Sequence, residues 1–226
     1  SGTGGDFRRT LQIPTQTRSA AAVLRTGRTR RIDVGRVSFI DNDGVEANRY
    51  FLGVASCGIS TKVIERVKKG APDWLLENVP AWIGGRVSFG AALLQTAARA
   101  GSSDLIVQLD DSHERHLTVT NLCVANARYF GGGMKVAPKA KLTDGKLDVI
   151  SFADLSAFKI FSSAPRLYTG SHLSMPEVSH ALARKVSVRP AKRANVIGIE
   201  IDGELPGRLP ATFQIIPEAL RVRANA

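Results

Sequence analysis

Two acidic stretches and one Gly-rich stretch carry residue types that could do chemistry. In IEIDGELP, Asp202 and Glu204 stand two apart at the end of an apolar strand pattern. Side chains at i and i+2 of an extended strand point to one side. Two carboxylates held that way repel, so one binds a proton more readily, or both recruit a cation or a hydroxyl, as general base catalysis requires. The same residues also read as an Asp-Gly hairpin turn, and local pattern alone favours the turn. In KAKLTDGKLDV, Asp144 stands beside Gly145 between two apolar segments, again in the form of a turn. The opening SGTGGDF offers successive backbone N–H groups near a helix start, a usual way to hold phosphate oxygens. It is neither a P-loop nor G-x-G-x-x-G. His113 and His116, three apart in DDSHERH, fit a charged turn better than a zinc pair, and His172 and His180 are isolated. No Ser-His-Asp or Cys-His set assembles with any specificity.

The elements that must position these residues are mostly strands. A helix is expected from about Gln16 to Thr26, followed by a basic strand, RTRRIDV. From Gly35 onward the texture changes to short alternating runs divided by turn pairs. RVSFID and ANRYFLGVAS flank Asn42-Asp43-Gly44, a hairpin signal, because Asp-Gly tolerates the positive φ of a tight turn. DLIVQLD, RHLTVTNLCVANA, KLDVISF, KVSVRP, NVIGIEID, ATFQIIP and ALRVRA read as further strands. Three helices interrupt them: STKVIERVKK, a long one over about Gly85 to Ala100, and one from about Leu155 that stops before Pro165. Nine or ten strands without βαβ alternation predict a mainly β fold, a β-sandwich with inserted helices. The one boundary falls near Gly35, dividing residues 1–34 from a sandwich domain over 35–226.

Composition excludes several classes. The chain has 226 residues, 43% hydrophobic and 23% charged, which fits a folded domain rather than disorder, collagen or coiled coil. Its two cysteines, Cys57 and Cys123, sit in apolar stretches and read as reduced core thiols of an intracellular, cytoplasmic protein. No apolar run reaches the length of a membrane span. With 31 Lys and Arg against 20 Asp and Glu, the charge of +11 points to nucleic acid, an anionic membrane or an anionic substrate. The basic clusters, Arg8 to Arg36 and Arg184 to Arg193, are not interleaved with aromatics, and only 6% of the chain is Phe, Trp or Tyr. That argues against a stacking platform for single-stranded nucleic acid.

Taken together, these segments resemble the diacylglycerol kinase and sphingosine kinase family of lipid kinases. GTGGDFRR resembles the family's G-T-G-N-D-F-A-R loop, with Gly5 where the family usually has Asn. FLGVASCGISTKV and GGRVSFGAALLQTAA resemble its strand-to-helix segment and long helix. NARYFGGGMKVAPKAKLTDGKLDVI resembles its G-G-G-M and D-G-x-L-D-V block almost position for position, and YTGSHLSMPEV and IEIDGELP complete the series in order. The resemblance covers essentially the whole chain. It implies a C-terminal β-sandwich preceded, over residues 1–34, by a short α/β remnant of a nucleotide-binding domain. The implied activity is transfer of the γ-phosphoryl of ATP to a lipid hydroxyl with Mg2+. Its general base lies in the D-G-E motif, as Asp202 or Glu204. One edge of the nucleotide site falls on Gly2, Thr3 and Gly4. A Mg2+ regarded in bacterial members as structural falls on the Asp144 carboxylate and the carbonyls of Lys141 and Lys146.

The implied partners are a lipid substrate and an anionic membrane approached peripherally, without nucleic acid; a homodimer is left open. The family's G-G-D-G-T phosphate loop is not found in SGTGGDF, IGGR or FGGGM. The chain is therefore expected to be a C-terminal fragment, inactive or nearly so alone. Two other readings compete: a non-catalytic basic sandwich binding anionic lipid or nucleic acid, and a related kinase acting on a non-lipid hydroxyl such as that of NAD. The helix over 85–100, through its small face at Ala92, is expected to line an acyl pocket.

Overall fold

A computed structural model describes residues 5–68 and 101–224. Two short helices open it, α1 (Asp6–Thr10) and α2 (Thr17–Thr26), and the sheet begins with β1 (Arg28–Asp41). The boundary expected near Gly35 falls inside β1. Gly35 is required there because a Cβ would lie 2.2 Å from the Phe51 ring. The expected hairpin turn joins β1 to β2 (Glu46–Phe51): Gly44 takes φ +88°, and Asp41 Oδ1 accepts the N–H groups of Asp43 and Val45 at 2.9 and 2.8 Å.

Then come β3 (Val54–Gly58), α3 (Ile59–Lys68), β4 (Ser103–Leu109), β5 (Arg115–Ala125), β6 (Leu147–Ala153), α4 (Ala157–Thr169), a 3-10 turn (Ser171–Ser174), β7 (Val178–Ala183), β8 (Lys185–Pro190), β9 (Gly198–Ile201) and β10 (Glu204–Ala224). The path β10–β8–β4–β5–β3–β9 closes on itself because β9 also pairs with β10. β1 and β2 extend the sheet from β10, and β6 and β7 extend it from β5. The result is mainly β and sandwich-like, as expected. Inside the ring, Val37, Phe39, Leu105, Leu122, Ile199 and Phe213 form the main core. Phe51 and Phe213 meet edge to face at 6.3 Å. A second cluster, including Val54, Cys123, Val136, Ile150 and Met175, sits on the outer face of β5 and β6. Both thiols are buried and free; burial pushes Cys57 up to about 12 and Cys123 higher still.

Four sequence expectations change. ATFQIIP and ALRVRA are one strand, β10, which pairs with β1 from Gly207 to Ala224. A register shift opposite Asp33, where Glu218 has φ +51°, gives the sequence its two-strand look. The helix from Leu155 does not stop before Pro165: α4 carries Pro165 inside and ends at Gly170 with φ +85°. Proline removes one N–H but leaves the following turn, which Gly170 N–H closes on Arg166 O at 2.8 Å. β7 emerges from VSHALA, which has no clear alternation because Leu182 is exposed. ANRYFLGVAS is broken at Leu52-Gly53, for a reason that lies in the site. Among the described residues no helix is long and apolar enough to cross a membrane.

Candidate active site

Asp202 and Gly203 form the turn between β9 and β10, both with left-handed backbone at φ +48° and +89°. That conformation turns the Asp202 side chain towards the break in ANRYFLGVAS. Its Oδ2 accepts the N–H of Leu52 at 2.9 Å; its Oδ1 accepts those of Gly53 and Val54 at 2.9 and 3.0 Å. Asp202 N–H returns a bond to Val54 O at 3.0 Å. These three N–H groups are drawn to a carboxylate instead of a neighbouring strand, which is why β2 and β3 separate. Gly53 is required at this spot, since a Cβ would stand 2.6 Å from Asp202 Oδ1. Desolvation lifts the Asp202 carboxyl above the usual range, opposed by the three donors and aided by the charge of Glu204.

Glu204 goes elsewhere. Its Oε2 meets Arg49 Nη1 at 2.6 Å, with the two side chains 64% and 47% exposed. The expected side-by-side carboxylates of an extended strand are therefore not formed: the turn alternative is the one observed. Both residues are exposed, but one carboxylate is spent on backbone and the other pairs with a side chain.

Hydrogen bonds tie this turn to the other motifs. Gly53 O accepts from Asn126 and Ala127 N–H at 2.9 and 3.0 Å. Asn126, 1% exposed, donates through Nδ2 to Leu52 O and Asp33 O at 3.1 and 3.0 Å. Asp33, also 1% exposed, accepts Gly145 N–H at 2.7 Å and Glu218 N–H at 2.8 Å, while its own N–H reaches Leu142 O. The D-G-E turn and the D-G-K-L loop are thus joined through Asn126 and Asp33. From the other side, Arg128 N–H donates to Thr10 Oγ1 at 3.3 Å and Gly132 N–H to Asp6 Oδ2 at 2.9 Å. These contacts fasten α1 onto the FGGGM loop, where Gly131, Gly132 and Gly133 all take positive φ.

Asp144 is exposed on its loop and its Oδ1 accepts Lys146 N–H at 3.1 Å. No cluster of three or more His, Cys, Asp or Glu able to hold a metal occurs among the described residues. One carboxylate with peptide carbonyls of Lys141 and Lys146 is an all-oxygen set, which fits a hard cation that keeps several waters, as Mg2+ does. Gly2, Thr3 and Gly4 lie outside the described residues, as does the helix expected over 85–100 with Ala92.

Sequence reading missed Arg49, Asn126, Asp33 and Glu200. Arg49 stands on an edge strand without any local signal. Glu200 did carry one: a carboxylate between Ile199 and Ile201, two residues before Asp202, in a strand otherwise apolar. It is 3% exposed.

An apolar pocket lies on the outer face of β5 and β6, roofed by α4. Its walls include Val63, Phe130, Met134, Phe152, Ile160 and Leu167. Ser60 and Asn121 also stand in its wall, with Ser60 N–H donating to Asn121 Oδ1 at 3.1 Å. His172, also in the wall, stacks on Phe152 at 5.8 Å and bonds Val136 O at 2.9 Å through Nε2; burial pushes its pKa down.

The family model described as the YegS C-terminal NAD kinase beta sandwich-like domain matches residues 55–224. A diacylglycerol kinase of Mycobacterium tuberculosis (strain CDC 1551 / Oshkosh) is 30% identical over 223 residues, 98% of this chain and 66% of that protein. A diacylglycerol kinase of Staphylococcus epidermidis (strain ATCC 35984) is 26% identical over 225 residues, 98% of this chain and 63% of that protein. The chain thus spans just under two thirds of the length of these relatives. In fold, a diacylglycerol kinase crystal structure from Bacillus anthracis str. Sterne superposes with a TM-score of 0.66 at 16% identity, covering 100% of this chain and 65% of that one. With the family model matched over more than half of the chain and both motif loops inside the match, the chain belongs to the YegS C-terminal NAD kinase beta sandwich-like domain family.

Proposed function

We propose that this domain presents the hydroxyl of a lipid acceptor of the diacylglycerol type for phosphoryl transfer. Glu204 takes the hydroxyl proton and Asp202 holds the turn that carries Glu204. The observation behind this division is the unlike fate of the two carboxylates. Asp202 spends both oxygens on the N–H groups of Leu52, Gly53 and Val54, whereas Glu204 stands in solvent with one oxygen on Arg49. A group must be within hydrogen-bond reach of the proton it abstracts. Asp202 is exposed too, but both its oxygens already accept peptide N–H groups, whereas Glu204 engages one oxygen, on Arg49. Arg49 orients that carboxylate. The apolar pocket under α4 suits acyl chains, and the relatives' name, diacylglycerol kinase, supports a lipid acceptor over a nucleotide one. ATP would supply the phosphoryl group, and Mg2+ held by Asp144 with the carbonyls of Lys141 and Lys146 would supply positive charge to its loop.

The test is an assay of the full-length protein with ATP, Mg2+ and either dioleoylglycerol in mixed micelles or NAD. Labelled phosphate is expected in the lipid. Its appearance in NAD alone would replace the lipid reading with the other kinase reading.

The same proposal includes docking on an anionic membrane, with α4 as the element that touches it. Phe158, Phe161, Pro165 and Tyr168 recur at helical spacing on one side; Phe158 and Phe161 are 80% and 55% exposed. Ile160, Ser163 and Leu167, on the other side, line the pocket. Lys159 and Arg166 are the only charges on this helix. A helix that walls the pocket on one side and offers aromatics on the other lies between lipid and acceptor site. Burying a Phe contributes about 1.5–3 kcal/mol and a basic residue near an anionic surface about 1 kcal/mol. Phe158→Asp with Phe161→Asp is therefore expected to weaken sedimentation with phosphatidylcholine–phosphatidylglycerol vesicles by at least about tenfold. Undiminished binding would remove α4 from the interface.

A further inference from the structure

Glu200 is a buried carboxylate directly beneath the site turn, and nothing above gives it a task. It stands on β9 opposite Ser56 of β3, with Ile199 and Ile201 turned into the ring core. Its Oε1 accepts the N–H of Gly203 at 2.6 Å, the middle residue of the D-G-E turn. Its Oε2 accepts the hydroxyl of Ser56, and Ser56 Oγ lies 2.8 Å from Ser60 Oγ in the pocket wall. A single buried chain of polar groups therefore runs from the acyl pocket to the peptide next to Glu204.

We infer that Glu200 is a positioning residue for the Asp202–Gly203–Glu204 turn, gripping Gly203 N–H and linking it through Ser56 and Ser60 to the pocket. This rests on the lipid-kinase reading and deepens it. Asp202 fixes the turn from the side of β2 and β3; Glu200 fixes it from beneath. With both grips in place, the two left-handed residues have one position, and Glu204 is presented at one distance from the acceptor. The grip tightens when Glu200 is ionised, because a carboxylate accepts a stronger hydrogen bond than a neutral acid.

Ionisation of Glu200 falls in the physiological range. Burial and the charge of Asp202 push it up, Ser56 and Gly203 N–H pull it down, and it comes to about 7. Among the described residues, the titratable groups that face it are Asp202 on its own turn and Cys123 on β5, whose thiol is pushed too high to ionise. Ser56 and Ser60 of its hydrogen-bonded chain, and Asn121 beside Ser60, are uncharged. Below pH 7 the protonated acid holds Gly203 less firmly; above it the carboxylate grips. The turn is thus expected to be better placed on the alkaline side.

The test has two arms. On the purified chain, the Gly203 amide is followed by nuclear magnetic resonance as pH is varied. A titration component near pH 7 is expected in the native protein, absent in Glu200→Gln and moved to higher pH in Ser56→Ala, which loses a bond that lowers the Glu200 pKa. In the full-length enzyme with dioleoylglycerol, Glu200→Gln is expected to lower kcat by about 10- to 100-fold with KM little changed, and to remove the component of the kcat–pH profile near 7. If Glu200→Gln does not fold, the displacement of that component in Ser56→Ala decides. A Gly203 amide without it, or a Ser56→Ala variant that leaves it in place, overturns the inference. A titrating Gly203 in a protein that phosphorylates no lipid overturns the kinase reading and leaves the grip standing.

Discussion

Glu204→Gln in the full-length protein is expected to lower kcat by about a hundredfold or more, with KM for the lipid little changed and stability altered by less than about 1 kcal/mol. The substitution keeps the size of the side chain and an oxygen for Arg49, so binding and folding survive. It removes only the ability to take a proton, which contributes about 10² to 10⁴ in rate. Asp202→Asn should behave differently. An amide NH2 there would confront the N–H of Leu52, or those of Gly53 and Val54, donor against donor. Stability and rate should fall together, with an unpaired N–H costing about 1–3 kcal/mol where it is buried. Steady-state kinetics beside thermal melts separate the two outcomes. Full turnover in Glu204→Gln, together with a rate loss in Asp202→Asn at native stability, would reverse the two roles.

The second large effect is structural. Asp33→Ala is expected to cost about 3–5 kcal/mol, seen as a fall in Tm on the order of 10 °C. Asp33 is 1% exposed, and its carboxylate accepts two peptide N–H groups, Gly145 at 2.7 Å and Glu218 at 2.8 Å. Removal leaves both donors unpaired, at the register shift of β10 and at the loop that carries Asp144. Charge-assisted bonds of this kind contribute about 1.5–3 kcal/mol each. Asp33→Asn, which keeps one acceptor oxygen, should recover about half of the loss. Melts of both variants check the order; a loss below about 1 kcal/mol in Asp33→Ala would show that neighbouring bonds, rather than this carboxylate, hold the junction.

Much of the fold was legible because its signals are local. The Asp41–Gly44 turn needs only its own residues, and the alternation of β4 and β8 reports one more buried and one less buried face. The D-G-E residues were legible as chemistry but not as geometry. The two-residue periodicity that places Asp202 beside Glu204 holds only for extended backbone, and Asp202 leaves it at φ +48°. What draws Asp202 away, the N–H groups of Leu52 to Val54, lies about 150 residues earlier, where no window of sequence can see it. Asp33 was hidden for a similar reason: in RTRRIDV it looks like one acid countering three arginines, whereas its carboxylate faces inward to peptide groups of the 145 loop and β10. Pro165 misled because its cost falls on one hydrogen bond, while the apolar stripe of α4 runs past it to Leu167.

The closure of the strand ring has a consequence for how the protein comes to life. The turn carrying Glu204 is the hairpin where β9 hands over to β10, and it is fixed by β3, whose Ala55 pairs with Ile201 of β9. Such a contact joins chain segments synthesised far apart, and the entropy of bringing them together must be met before either is held. A nascent or partly melted chain can already display apolar surface capable of sticking to lipid. It cannot yet carry an aligned base, because Asp202 has nothing to grip until the ring shuts. Under the proposed function, placing Glu204 and completing the fold are therefore the same event in this domain.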